Sequence, residues 1–191
     1  FEKVDYVFTT VHISSYVPVP ILEIGSFLQD NDIDRVRKLF ARESKDFLQK
    51  YFKKELFFTD VEGKTKDEVL KNLCRKVEQE KGLPETFTAS VLKREELTPT
   101  DYGNLVALPH PERAFQERAF VAVAVLKEPI FWFRQKVQVV FLTAIGREED
   151  ENLQQFYEAT TDLILRPADV QNLIRHPDYD RLIQLLRRAE E

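Results

Sequence analysis

Methionine is absent from this chain of 191 residues, cysteine and tryptophan occur once each, and histidine occurs three times. A single cysteine, Cys74, excludes an internal disulfide framework. With no second cysteine or nearby histidine to complete a ligand set, it also argues against a zinc site. No apolar run approaches the roughly 18 residues that a membrane span needs, so no spanning segment is expected. The N-terminus has no basic stretch leading into an apolar core, so no signal peptide is read. There is no glycine-rich phosphate loop, internal repeat or low-complexity run, and no pattern that asks for a cofactor or a metal ion. The formal net charge is −5, with basic and acidic residues interleaved. Nucleic-acid binding normally uses a concentrated basic face, so no direct nucleic-acid contact is expected of this stretch. Opening on "FEKVDYVF", the chain reads as a piece of a longer protein.

What is present suits a globular protein: 43% hydrophobic and 32% charged residues, enough to bury a core. The runs "VDYVFTTV" and "VPVPILEI" have the short, β-branched character of buried strands. "NDIDRVRKLFARE" follows, with Ile33, Val36, Leu39 and Phe40 at helical spacing. Two strands and one helix are too few for a stable sheet domain. A polar stretch around "RESKDFLQKYFKK" reads as a connector with some docked aromatics. Beyond it, "ELFFT" predicts a strand. "TKDEVLKNLCRKVEQEKG" predicts a helix capped by Thr65 and Glu68 and stopped at Gly82, with Cys74 on its apolar stripe. "LPETFTASVLKREEL" predicts a second helix that ends at "TPT". Three strand-like runs come next, "NLVALP", "AFVAVAVL" and "KVQVVFLTAI". The last two are almost wholly apolar, so both sheet faces should be covered. Helices are expected over "DENLQQFYEATTDLIL", "PADVQNLIRH" and "DYDRLIQLLRR". The order of elements implies an α/β fold, a mixed β-sheet flanked by helices on both sides.

His110 stands between two prolines at the end of the "NLVALP" run. Pro109 and Pro111 fix their own φ and push Leu108 and His110 toward extended backbone. An imidazole held this stiffly can meet a partner repeatedly in one geometry, and it is a nucleophile able to carry a group covalently. On composition alone, a histidine at a strand end is more often structural or simply exposed. His12, after the first strand, and His176, in a helix-to-helix turn, have that bland reading.

"KREELTPTDYGNLVALPHP" closely resembles the active-site region of the mannitol/fructose-type enzyme IIA domains of the bacterial phosphoenolpyruvate-dependent sugar phosphotransferase system. The pattern is an arginine near a helix end (Arg94), then "ELTPT", a strand containing Gly103, and "LVALP" before the histidine. The similarity runs from about Leu56 to Leu186. It implies that His110 is the phosphoacceptor, using the ring nitrogen farther from the backbone, with HPr as donor and a cysteine of an enzyme IIB domain as acceptor. Arg94 matches the family arginine that faces the phosphate, and its fork of donors suits that task. Its bland alternative is a solvated charge complementing the helix dipole. The family commonly has a second histidine at the start of the next helix, where this chain has Asn152. Asparagine can donate a hydrogen bond but carries no charge, which suits a sensor better than a fast carrier. Helix capping is the alternative role for Asn152.

Residues 1–42 look like the C-terminal fragment of an α/β IIB-like domain of the galactitol type. Residues 43–54 are then a linker and 55–191 the enzyme IIA domain. That order resembles the tail of BglG/MtlR/LicR-type transcription regulators, which are cytoplasmic. It implies a phosphoacceptor domain that signals to other domains of the same regulator. The alternatives are a IIA phosphocarrier of a sugar permease and a binding module that is never phosphorylated.

Overall fold

The computed structural model describes residues 6–13, 16–25, 32–33, 48–148 and 152–187. The chain divides into two compact units, Phe1–Ser44 and Lys45–Glu191. In the first, β1 (Val7–Thr9) and β2 (Ile21–Glu23) pair in parallel, with Val7 opposite Ile21. The helix expected over "NDIDRVRKLFARE" lies outside the described residues, apart from Asp32 and Ile33, which are helical.

The second unit begins with β3 (Phe52–Phe58), α1 (Lys66–Lys81) and α2 (Thr86–Leu97). Four strands follow: β4 (Asp101–Gly103), β5 (Val106–Ala107), β6 (Phe120–Phe131) and β7 (Lys136–Ala144). Three helices close it: α3 (Leu153–Leu165), α4 (Pro167–Arg175) and α5 (Tyr179–Arg187). The sheet order is β3-β6-β7-β5-β4. It is mixed, since β3/β6 and β5/β7 are parallel while β6/β7 and β4/β5 are antiparallel.

Strand alternation sorts the core into two layers. Val121, Val123 and Val125 of β6, with Val139 and Phe141 of β7, pack against Phe156, Leu163, Val170, Leu173 and Leu182 of α3 to α5. Phe120, Ala122, Ala124 and Leu126, with Val140 and Leu142, pack against α1 and α2 through Val69, Leu73, Val77, Phe87 and Val91. The unbroken apolar runs of the central strands are thus explained, because helices cover both faces. Each such large side chain contributes about 1.5–3 kcal/mol on burial. Cys74 belongs to the α1 layer and is fully buried. Aromatics of the expected connector are docked: Tyr51 and Phe52, the latter the first residue of β3, are buried, and the Tyr51 ring lies 4.7 Å from that of Phe156.

Two elements differ from the sequence reading. β6 continues past Leu126 through Lys127, Glu128 and Pro129, where the register with β7 shifts between Val125 and Ile130. The irregularity accommodates a proline that lacks the ladder N–H, and the Gln138 amide donates to the Leu126 and Lys127 carbonyls. The "NLVALP" strand is reduced to two residues, because Asn104 and Leu105 both have positive φ, 52° and 66°. They make the turn from β4, a strand that the polar "DYG" does not announce.

Candidate functional site

His110 lies just beyond β5, at the end where β7 also finishes, and the backbone before it is clamped from two sides. The Leu108 N–H donates to the Thr100 carbonyl at 3.1 Å, and the Pro109 carbonyl accepts from the Thr143 N–H at 3.0 Å. Both flanking prolines are buried, and His110 itself is half-buried. The segment after it is held to α2: the Glu112 N–H donates to Ser90 Oγ at 2.9 Å, and Lys93 pairs with Glu112 at 3.1 Å.

His110 Nδ1 lies 3.2 Å from the Leu108 carbonyl oxygen. A carbonyl only accepts, so Nδ1 carries the proton in this contact and Nε2 keeps its lone pair. The backbone therefore selects the tautomer whose outer nitrogen is the nucleophile. Leu108 is followed by proline, so the peptide presenting this carbonyl has no N–H of its own to satisfy.

Arg94 is in the last turn of α2, one turn beyond Ser90 and so on the helix face that meets the histidine segment. It is half-buried, and its Nη1 donates to the Thr98 carbonyl at 3.1 Å, closing the helix end. It forms no ion pair among the described residues. Asn152 is the N-cap of α3. Its carbonyl accepts from the Phe156 N–H at 3.0 Å, while its side chain makes no cap hydrogen bond. Leu108 and Leu153 pack against the same apolar layer, which brings the start of α3 to the sheet face that Leu108 occupies. The helix N-terminus carries partial positive charge at that end.

A groove lined by Ser90, Lys93, Glu112 and Arg113 runs beside the histidine segment and is shallow and open. Among the described residues no cluster of histidine, cysteine or acidic side chains could hold a metal ion. No helix of the described residues is long and apolar enough to cross a membrane. His12 lies beside Glu23 at 3.4 Å, and His176 caps the end of α4.

Glu95 was not found from the sequence. It is 1% exposed and accepts three hydrogen bonds, from Thr100 N–H (2.8 Å), Thr100 Oγ1–H (2.8 Å) and Trp132 Nε1–H (2.6 Å). Its place in "KREE" suggests a solvated charge. The usable signal is its spacing, since Phe87, Val91 and Glu95 fall one turn apart on the buried stripe of α2.

The family described as "Phosphoenolpyruvate-dependent sugar phosphotransferase system, EIIA 2" matches residues 50–189. The chain is 34% identical over 182 residues to the probable licABCH operon regulator of Bacillus subtilis (strain 168), covering 95% of this chain. It is 24% identical over 182 residues to the transcriptional regulator ManR of the same organism, covering 91% of this chain. In both cases it spans 28% of the relative's length. Among solved structures, it is similar to enzyme IIA of the Escherichia coli mannitol system in complex with phosphorylated enzyme IIB. That likeness has a TM-score of 0.57 and 18% identity, covering 69% of this chain and 94% of that one.

Proposed function

The chain belongs to the phosphotransferase system EIIA 2 family, and from that premise we propose that it is the phosphoacceptor domain of a sugar-responsive transcription regulator, charged on His110. The observation that carries this reading is the Nδ1–H···O=C contact to Leu108, which leaves Nε2 as the free nucleophile.

In the proposed step, Nε2 attacks the phosphorus of a phosphohistidine on HPr. The new N–P bond forms as the donor's N–P bond breaks, and the donor nitrogen leaves with the electron pair. No proton moves, because Nδ1–H stays bonded to Leu108 throughout. Such transfers depend on positioning and charge stabilisation. Arg94 supplies a guanidinium able to turn from Thr98 to phosphate oxygens, and the start of α3, with Asn152, supplies partial positive charge. The onward acceptor is the cysteine of an enzyme IIB domain, in line with the paired IIA and IIB domains of the mannitol system. Residues 1–42 are read as the tail of a IIB-like domain, which the parallel pairing of β1 and β2 supports. Residues 43–54, read as a linker from the sequence, join it to the IIA domain at 55–191 in a cytoplasmic regulator, with β3 of that domain already beginning at Phe52. Phosphorylation adds about 1.5–2 negative charges to this surface, which can bias packing among the regulator's other domains.

The test is incubation with phosphoenolpyruvate, enzyme I and HPr, followed by mass spectrometry. One acid-labile phosphate on the parent and none on His110→Ala is the expected result. An uncharged parent beside fully charged HPr overturns the reading. In the same assay Asn152→His should speed transfer to a IIB partner about fivefold, since a charged hydrogen bond exceeds a neutral one by about 1 kcal/mol. A second reading, a IIA phosphocarrier serving a permease, is favoured by the shared fold of the mannitol enzyme. An upstream nucleic-acid-binding domain in the full-length protein decides for the regulator, and a fused membrane domain for the permease.

A further inference from the structure

β4 and β5 are a weak support for a residue that must be aimed. Their ladder consists of two residue pairs, Asp101 with Ala107 and Gly103 with Val106, and it is irregular between them. The turn that joins them places Leu105, a branched residue, in left-handed backbone. Yet Leu108, whose carbonyl orients His110, depends on this region, because its N–H is held by the Thr100 carbonyl at the entry to β4.

What holds Thr100 is Glu95. The carboxyl takes both donors of that residue, backbone N–H and hydroxyl, at 2.8 Å each. It is itself locked by the indole of Trp132 at 2.6 Å, from the tight end of the β6–β7 hairpin. The adjoining turn is pinned as well: Asp101 Oδ2 accepts from the backbone N–H groups of Arg134 and Gln135 at 2.7 and 2.8 Å. A continuous path therefore runs from Trp132 to the Glu95 carboxyl, to Thr100, through its carbonyl to the Leu108 N–H, and from the Leu108 carbonyl to His110 Nδ1. Each link is a hydrogen bond of 3.2 Å or less. The path transmits position only, since no proton has to move along it.

We propose that Glu95 is the positioning residue for His110: by fixing Thr100 it fixes the Leu108 carbonyl, and through that carbonyl it selects the Nδ1–H tautomer and the direction of Nε2. The functional consequence rests on the reading of His110 as phosphoacceptor, whereas the tautomer does not. A merely structural Glu95 would stabilise the domain without setting which ring nitrogen is protonated. The chemistry also predicts which substitution is tolerated. In Glu95→Gln the amide oxygen keeps the indole and Thr100 N–H donors, and the amide N–H donates to Thr100 Oγ1, because a hydroxyl both donates and accepts.

The test uses the full chain labelled with ¹⁵N and reads the imidazole nitrogens of His110 by long-range ¹⁵N–¹H correlation, with phosphorylation rates by HPr in parallel. The parent and Glu95→Gln should both show His110 protonated at Nδ1, and their charging rates should agree within twofold. Glu95→Ala should populate the Nε2–H tautomer and charge at least tenfold more slowly, with an unchanged far-ultraviolet spectrum. Should Glu95→Ala fail to fold, Thr100→Val decides, because it keeps the β-branched shape and the N–H and loses only the hydroxyl; it should show a measurable Nε2–H population. A folded Glu95→Ala, or a Thr100→Val, that retains the parent tautomer and rate overturns the proposal. If the parent takes no phosphate at all, the phosphoacceptor reading fails, and the tautomer measurement alone judges Glu95.

Discussion

Gly146 shows how one missing atom shapes the end of the sheet where His110 sits. A Cβ on Gly146 would lie 2.2 Å from the Glu117 carbonyl oxygen and 2.6 Å from the Arg118 carbonyl carbon. These are backbone atoms, so no side-chain rotation relieves the overlap. The close approach lets the Arg147 N–H donate to the Gln116 carbonyl and the Glu148 N–H to that of Glu117, while the Arg147 guanidinium pairs with the Glu117 carboxylate. Gly146→Ala should therefore cost about 1–3 kcal/mol, as overpacking does. A thermal melt showing the parent midpoint would refute this. At this scale the sequence was legible where a residue type is rare or its neighbours are rigid. Cys74 on an apolar stripe and His110 between prolines both announced themselves. Glu95 did not, because a carboxylate flanked by charges usually marks solvent, and only the fold supplies the three donors that make its burial tolerable. The left-handed Leu105 was equally hidden, since local preference there is overridden by the need to turn between β4 and β5.

Elements were read correctly where the hydrophobic period was strong and misread where polar chemistry closes the chain. The capping box at α1 is present: Thr65 Oγ1 accepts from the Glu68 N–H at 3.3 Å. The Glu68 carboxylate reaches back to the Lys64 N–H at 2.8 Å, one residue before the cap. β4 and the second half of β6 escaped notice because glycine, a charged pair and a proline conceal the alternation. The attachment of α5 to β3 is another polar link that periodicity cannot show. The Tyr179 hydroxyl donates to the Phe52 carbonyl at 2.9 Å across the edge of the sheet. Burial, helped by the charges of Asp180 and Glu55, raises the pKa of Tyr179 above the ordinary value, against a smaller opposing effect of Arg187. A phenol whose folded pKa is raised contributes stability that is fully present below its unfolded value of about 10 and is lost as pH rises through the folded one. Tyr179→Phe should thus destabilise by about 1 kcal/mol at pH 8. The gap between parent and variant should narrow in denaturant melts as pH is raised above about 10. A gap that keeps its full size there would show that the hydroxyl's ionisation is not linked to folding.

For the molecule as a whole, the question is how much of the chain the histidine needs. Both apolar layers lie between Leu48 and Leu186, and all five strands of the sheet lie within Lys45–Glu191. The contacts that orient His110 come from Ser90, Thr100, Leu108 and Thr143, again inside the second unit. A domain with its own complete core can fold alone, so residues 45–191 should fold and accept phosphate without residues 1–44. The single cysteine provides the measurement. Burial, more than the nearby Glu78 charge, raises the pKa of the Cys74 thiol, and the group is inaccessible in the folded state. Only the exposed thiolate reacts with thiol reagents, so labelling of Cys74 reports the opening of the α1 layer. The expected outcome is the same labelling rate for the 45–191 fragment as for the full chain, in both cases slow until denaturant is added. A fragment that labels tenfold faster would mean about 1.4 kcal/mol of opening free energy supplied by the first 44 residues. That would make the first unit a part of what holds the histidine in place, and its removal should then slow charging of His110 as well.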